Sequence, residues 1–294
     1  MPEGKIIKAL SGFYYVLNKD KEIIQCRGRG VFRKNKITPL VGDEVHYQAE
    51  NDKEGYILEV RKRKNELIRP PIANVDQAFL IFSSVEPTFS TALLDRFLVL
   101  VESNHITPII CITKMDLASK EEQDTLAVYA DNYRKAGYKV VLTSSETAEG
   151  IEDLYPFITG EISVFAGQSG VGKSSLLNVL RPDLQLKTDD ISSHLGRGKH
   201  TTRHVELIEI NGGLVADTPG FSSLEFTEIE QEDLQNYFPD IQELSSSCKF
   251  RGCMHLKEPK CAVKQAIEAG DLPRYRYEHY ITFIDEIRDR KPRY

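Results

Sequence analysis

The chain has 294 residues, 40% hydrophobic and 28% charged, a composition that excludes disorder as the default and leaves room for roughly two or three compact units. No apolar run approaches the roughly 20 residues that cross a bilayer, and the opening MPEGKIIKAL lacks the pattern of a secretion signal, so a cytoplasmic protein with no membrane partner is expected. The net charge of −6 argues weakly against nucleic acid, but residues 1–69 carry 15 Lys and Arg against 10 Asp and Glu, residues 70–225 carry 12 against 21, and residues 226–294 carry 11 against 13. Such asymmetry predicts modules with different partners.

Residues 1–69 alternate apolar and polar side chains in short runs, GFYYVL, EIIQCRGRGVF, PLVGDEVHY and GYILEV, separated by turn residues. Short, evenly spaced strands predict a small β-barrel of the oligonucleotide-binding type. Its cations cluster at Arg27, Arg29, Arg33, Lys34 and Lys36, and again at Arg61 to Lys64, with Tyr14, Tyr15 and Phe32 as candidate base-stacking partners. The alternative is that the aromatics are core and the charges a solvated rim.

From about residue 70 the runs NVDQAFLIF, PIICIT, KVVLT, ISVFAG and GLVAD read as buried strands. Between several of them lie the helical patterns ALLDRFLVLVE, EQDTLAVYADNYRKAG and SSLLNVL. This alternation over residues 70–225 predicts an α/β unit with a parallel sheet covered on both faces. After Phe221 the pattern is helical and loop-rich: AVKQAIEAG ends on a capping glycine, and Tyr280, Ile284 and Ile287 line one helix face.

GQSGVGKS (167–174) fits G-x-x-x-x-G-K-[ST] between a strand and a helix. Gly167, Gly170 and Gly172 let backbone N–H groups turn toward phosphate oxygens, Lys173 would reach the β- and γ-phosphates, and the Ser174 hydroxyl would ligate Mg²⁺. In DTPG (217–220), Asp217 at a strand end would hold the magnesium through water and the Gly220 N–H would meet the γ-phosphate. TKMD (113–116) ends another buried strand. Asp116 can accept two hydrogen bonds from one edge of guanine, a selectivity worth roughly 10⁴–10⁵, while the Lys114 stem covers the ring and TSS (143–145) lies over the same base.

Between the loop and the DTPG strand, SSHLGRGKHTTRH (192–204) is placed to order around γ-phosphate and Mg²⁺, with Thr201 or Thr202 supplying a second hydroxyl. Phe221 follows the DxxG glycine where many GTPases carry the glutamine that orients water, so intrinsic turnover is expected to be slow. His200 is then the candidate that a partner brings to the water, its alternative being a solvent-exposed switch histidine.

Five cysteines are an odd number, and Cys248, Cys253 and Cys261 fall within fourteen residues together with His255. Three thiolates and an imidazole make a complete tetrahedral set for one structural Zn²⁺ with no position open to water. Cys26 and Cys111 read as core. Lys249, Arg251, Lys257 and Lys260 surround the cluster and face either phosphates or protein.

TKMD, TSS, GQSGVGKS, the threonine-bearing switch and DTPG resemble the motifs of translation-factor-like GTPases in circularly permuted order. With the barrel and the cysteine cluster, essentially the whole chain resembles the ribosome small-subunit-dependent GTPase family, RsgA, which includes YjeQ- and YloQ-like proteins. The resemblance implies a circularly permuted P-loop GTPase domain (70–225) between an oligonucleotide-binding-like barrel (1–69) and a zinc-binding, mainly helical domain (226–294). It implies hydrolysis of GTP to GDP and phosphate, stimulated by the small (30S) ribosomal subunit and its rRNA during late maturation, by a chain expected to be monomeric. The residues it implies for GTP are Thr113, Lys114, Met115 and Asp116; Thr143, Ser144 and Ser145; Gly167, Gln168, Ser169, Gly170, Val171, Gly172, Lys173, Ser174 and Ser175; and Asp217 and Gly220. Thr113 departs from the asparagine usual in the GTPase pattern and is expected to loosen the contacts between loop and base.

The permuted order is compatible with one site, because ligand geometry depends on which strand ends converge, not on their order along the chain. FITGE (157–161) is the short join between the old termini. The new ends put the DTPG strand directly before the cysteine-bearing module, which predicts mechanical coupling between them.

Overall fold

The structure, a computed structural model, describes all residues except 29, 31, 33–36, 52, 69, 185–204, 218–223 and 291–294, and only the backbone of Asp217. Strands β1 (Glu3–Leu10), β2 (Phe13–Asn18), β3 (Ile23–Gly28), β4 (Glu44–Ala49) and β5 (Glu54–Val60) form the N-terminal unit. β1 pairs with both β2 and β4, so the five strands close on themselves, with β3 and β5 parallel and the other pairs antiparallel. A register shift between Ile6 and Lys8 lets β1 bend around the barrel. Ile6, Val16, Ile24, Cys26, Val45 and Ile57 fill the interior, the inward half of the alternation visible in the sequence. The run EIIQCRGRGVF is not one strand, because β3 ends at Gly28 and Phe32 turns inward to 6% exposure. Phe32 is therefore core, not a stacking surface.

A short hairpin of β6 (Glu66–Ile68) and β7 (Pro71–Ala73) leads into the second unit. Its strands are β8 (Gln77–Ser83), β9 (Thr107–Thr113), β10 (Lys139–Leu142), β11 (Ile162–Ala166), β12 (Glu206–Ile210) and β13 (Gly213–Asp217). The spatial order β10-β9-β8-β11-β13-β12 places β11, which precedes the glycine loop, at the centre although it follows β10 in the chain. The first five strands of that order are parallel and β12 runs antiparallel to β13. The sheet is thus mixed, and it does not stop at β12: one pairing, Lys8 with Glu206, joins it to β1, reinforced by ion pairs Lys8–Glu206 (2.8 Å) and Lys21–Glu209 (2.7 Å).

Side chains on β8 alternate between two cores. Ala78, Leu80 and Phe82 meet α1 (Thr91–Ser103) and α2 (Lys120–Lys135), while Phe79 and Ile81 meet α3 (Tyr155–Ile158) and α4 (Lys173–Leu180). Ser90 caps α1, and Ser119 and Glu122 form a reciprocal capping box on α2. Both faces of the sheet are covered, as the continuous apolar runs require.

The C-terminal unit contains α5 (Pro239–Ser245), α6 (Ala262–Ala269) and α7 (Arg274–Asp289), packed around Phe238, Ile241, Val263, Tyr280, Phe283 and Ile284. Val99 and Leu100 of α1 belong to this third core, while Leu94, Phe97, Leu98 and Val101 belong to the first. α1 is apolar on two flanks because it is held between the sheet and the C-terminal helices. No helix among the described residues is long and apolar enough to cross a membrane.

A buried charge cluster pins that junction. Arg276 (2% exposed) donates from Nη1 to Asp95 (0%), and from Nε and Nη2 to both oxygens of Asp240 at 2.9 Å. Tyr133 Oη donates to Asp95 Oδ1 at 2.8 Å, and His279 Nδ1 lies 2.6 Å from Asp95 Oδ2. Burial works against the guanidinium charge, but Asp95 and Asp240 outweigh it and hold the Arg276 pKa well above its ordinary value. Arg276→Met would leave the buried Asp95 and the half-buried Asp240 without their shared guanidinium, and the expected loss is about 3–5 kcal/mol of unfolding free energy. Urea unfolding followed by far-UV circular dichroism checks this, and a midpoint equal to that of the unmodified chain contradicts it.

Candidate functional site

Because β8, β9, β10, β11 and β13 are parallel, their C-terminal ends lie along one edge of the sheet, the place where open α/β sheets bind ligands. That edge gathers Thr113 from the end of β9, Thr143 after β10, Gly167 after β11 and the Asp217 backbone at the end of β13. The 113–116 and 167–174 loops, more than fifty residues apart in sequence, are bonded to each other there. Thr113 Oγ1, at 1% residue exposure, lies 2.5 Å from the Val171 carbonyl oxygen and 3.1 Å from that of Phe82. One hydroxyl hydrogen serves one acceptor at a time, and the shorter contact is the one to the glycine loop. Thr113 thus ties the two loops to each other.

Lys114, at φ +59°, sends Nζ across the gap to the carbonyls of Gly170 and Glu86, both at 2.7 Å. Its stem thus forms a bar between the two loops. Asp116 is exposed, and Ser144 Oγ donates to its Oδ1 at 2.5 Å. Ser144 Oγ also accepts from the Glu146 and Thr147 N–H groups, and Thr143 backbone groups bond Ile112 and Met115. Thr143 and Ser144 are fully buried and hold the Asp116 loop in place, while Ser145 stays half-exposed. Asp116 keeps Oδ2 for a ligand, an acceptor suited to the adjacent N–H donors of a guanine edge.

The glycine loop is shaped by sterics. A Cβ on Gly167 (φ +152°) would come within 2.1 Å of the Ile81 carbonyl oxygen, and Gly172 (φ +94°) begins α4 in the left-handed region. Gln168, Ser169 and Gly170 are exposed at the rim, Val171 is anchored in the core and Ser175 is half-buried. Lys173 Nζ folds back onto the carbonyls of Gly167 (2.9 Å) and Gln168 (2.6 Å), and burial lowers its pKa to about 8. Ser174, buried at 7% exposure, occupies the first turn of α4, where free backbone N–H groups favour an anion. His200, Thr201, Thr202, Gly220 and the Asp217 side chain lie outside the described residues.

Two supports of this site were not expected from the sequence. Ser84 Oγ donates to the Lys114 carbonyl at 2.7 Å, and Glu86 supplies the second acceptor for Lys114. The only signal was a polar SSVEP stretch following a buried strand.

The ligand atoms of Cys248, Cys253, His255 and Cys261 lie within 4.8 Å of one another. His255 Nδ1 is 3.3 Å from Cys261 Sγ and 3.7 Å from Cys248 Sγ, and those two sulfurs are 3.9 Å apart. Tetrahedral zinc spaces sulfurs about 3.8 Å apart, and sulfur from nitrogen about 3.6 Å, whereas a disulfide needs about 2.05 Å. His255 Nε2 lies 3.1 Å from Gln235 Oε1, a pairing that puts the proton on Nε2 and leaves Nδ1 as the ligand. Burial disfavours the imidazolium of His255 and raises the Cys253 thiol to about 12, so thiolates here call for a neighbouring cation. Geometry and donor chemistry both fit a metal. Gln235, remote in sequence, carried no metal-site signal of its own.

In the barrel, Arg27 is exposed and stacks on Phe13 at 5.0 Å, whereas Arg29, Arg33, Lys34 and Lys36 lie outside the described residues. The second basic run is partly neutralised, since Arg63 is clamped by buried Asp43 at 2.7 Å and Arg61 lies near Glu3 and Glu44. Tyr14 and Tyr15 are half-buried.

Comparison with known proteins covers the chain from end to end. A model of the RsgA GTPase matches residues 60–227, and one of the RsgA N-terminal domain matches residues 3–57. The chain is 70% identical over 298 residues to the small ribosomal subunit biogenesis GTPase RsgA of Bacillus subtilis (strain 168), covering 100% of both. It is 67% identical over 294 residues to the protein of the same name from Bacillus anthracis, again with 100% of both covered. The crystal structure of YloQ, a circularly permuted GTPase, superposes with a TM-score of 0.87 at 65% identity, over 100% of this chain and 97% of that one. YjeQ from Thermotoga maritima gives 0.87 at 38% identity, over 99% of each. With the phosphate-loop and base-loop motifs bonded together at the edge of a permuted sheet, the chain belongs to the RsgA GTPase family of GTP-hydrolysing enzymes.

Proposed function

We propose that this chain binds the small ribosomal subunit and assists its late maturation, converting GTP and water to GDP and inorganic phosphate with stimulation by the subunit. The observation that carries the reading is the pair of bonds joining the two loops, Thr113 to Val171 and Lys114 to Gly170, which supports a base at Asp116 and a phosphate tail at Lys173. Full-length relatives named for small-subunit biogenesis support the choice of partner.

Asp116, oriented by Ser144, accepts from guanine, and the Lys114 stem covers the ring. Met115, Ser145 and the rim residues Gln168, Ser169 and Ser175 complete the nucleotide's surroundings. The backbone around Gly170, Val171 and Gly172 cradles the phosphates while Lys173 leaves its two carbonyl partners for the β- and γ-oxygens. Mg²⁺ supplies neutralisation of the triphosphate charge, and Ser174 would hold it together with Asp217 and Thr201 or Thr202. Gly220 donates to the γ-phosphate. His200 is the group that the ordered subunit complex brings to the attacking water, since Phe221 cannot accept or donate a hydrogen bond there.

Arg27, with Arg29, Arg33, Lys34 and Lys36, gives the barrel (1–69) its rRNA contact. The Cys248, Cys253, His255, Cys261 set holds one structural zinc in the C-terminal domain (226–294), and the GTPase domain spans 70–225. The protein works in the cytoplasm as a monomer.

Purified small subunits should raise GTP turnover by orders of magnitude, and His200→Ala should remove most of that stimulation while leaving nucleotide affinity intact. Equal multiple-turnover rates with and without subunits would overturn the proposal.

The depressed Lys173 pKa sets a pH dependence. Nζ is protonated in the free protein below about pH 8, and bound phosphates favour the charged form, so binding above that pH must take up a proton. Calorimetric titration of GDP in two buffers of different ionisation enthalpy should give an uptake of roughly 0.1 proton at pH 7 and about 0.75 at pH 8.5. Lys173→Arg, charged throughout, should show no such rise.

A strong chelator should extract about one Zn²⁺ per chain and expose the C-terminal unit to proteolysis while GDP binding persists. Detection of the released metal with a chromophoric chelator and mapping of the cleavage sites check both halves.

A further inference from the structure

Among the described Phe and Tyr residues, Phe250 is the exposed one, at 44%, and it sits in the loop between two of the clustered cysteines. The loop is held from both ends by Cys248 and Cys253 and from beneath by α7, whose Tyr277 and Tyr280 hydroxyls donate to the carbonyls of His255 and Met254.

Beside the ring opens a concavity of about 220 Å³ shared between the end of α5 (Ser245, Ser246), the loop from Lys249 to Gly252, and Gln235, Cys248 and Cys253 of the metal cluster. Lys249 Nζ rests over the ring face at 5.3 Å, as a cation does on a π-surface that nothing else covers. Lys249, Arg251, Lys257 and Lys260 are all exposed, and among the described residues no carboxylate lies within ion-pairing distance of them. Glu258, the one acid between residues 248 and 261, accepts from the Met254 N–H instead.

We propose that this concavity is a nucleobase pocket that takes an unpaired RNA nucleotide, its base stacked on Phe250 and its phosphates met by Lys249 and Arg251, while Ser245 and Ser246, whose hydroxyls donate to the Gln242 and Glu243 carbonyls, offer acceptors at the base edge. An isolated π-face among unpaired cations suits a strand whose bases are splayed out, because a duplex keeps its faces stacked inside. An acidic peptide would satisfy the cations but leave the ring unused. The proposal rests on the reading that the chain engages RNA, but it places this contact on the metal-held loop, separate from the barrel.

The test uses the full-length, zinc-loaded chain with a fluorescein-labelled single-stranded RNA 12-mer, the same RNA annealed to its complement, and an oligoglutamate peptide, read by anisotropy. Phe250→Leu should weaken single-strand binding about tenfold, Phe250→Trp should retain it, and duplex binding should not change, with melting temperature and basal GTP hydrolysis unaltered. Substituting 5-iodouridine in the 12-mer should give a photocrosslink to the peptide containing Phe250. Arg27→Gln is the control for the barrel: if it weakens binding while Phe250→Leu does not, the pocket is refuted and barrel binding stands. If Phe250→Leu weakens binding and Arg27→Gln does not, the pocket stands and the barrel assignment fails. Equal losses for duplex and single strand, or oligoglutamate binding as tightly through Phe250, would overturn the proposal in favour of a plain charged surface or a protein partner.

Discussion

The contact between Thr113 and the Val171 carbonyl is the joint on which the site depends. It joins the loop after β9 to the loop after β11 across the width of β8, and Lys114 doubles it by reaching Gly170. Neither loop alone discriminates a nucleotide: a glycine loop grips any polyphosphate, and a lone carboxylate meets any N–H donor. The two bonds hold the loops at a fixed spacing. Permutation leaves this joint intact because it is made at the sheet edge, and the edge is set by the strand order in space.

The coupling to the outer modules runs through two further contacts. On one side the barrel continues the sheet through β1 and β12, so its position follows the hairpin that carries Asp217. On the other side α1 is shared between two cores, and Asp95 fastens it to α7 through Arg276 and His279. α1 begins just after the loop that supplies Glu86 to Lys114. The C-terminal helices are thus joined, through α1, to the segment that carries Glu86.

Much of the site was legible because its chemistry is local. The glycine spacing, the TKMD tetrad and the four soft ligands within fourteen residues each declare themselves without a neighbour, and the α/β alternation and amphipathic helices follow from period alone. What stayed hidden was long-range. Phe32, next to cations, looks like a stacking residue until barrel closure buries it. Arg276 and Asp95 are separated by 181 positions, and Gln235 reaches His255 from outside the cysteine cluster. One trace of the buried pair does exist, since Asp95 interrupts an otherwise apolar run in ALLDRFLVLVE. The Thr113 contact with Val171 was hidden in the same way, since it joins residues 58 positions apart.

The double-sided helix α1 also constrains how the polypeptide is made. Its carboxylate at Asp95 waits for Arg276, and its Val99 and Leu100 wait for helices at the far C-terminus. At roughly 5–20 residues per second of synthesis, the intervening 181 positions take about 10–40 s. For that interval Asp95, Val99 and Leu100 lack the partners that cover them in the finished fold.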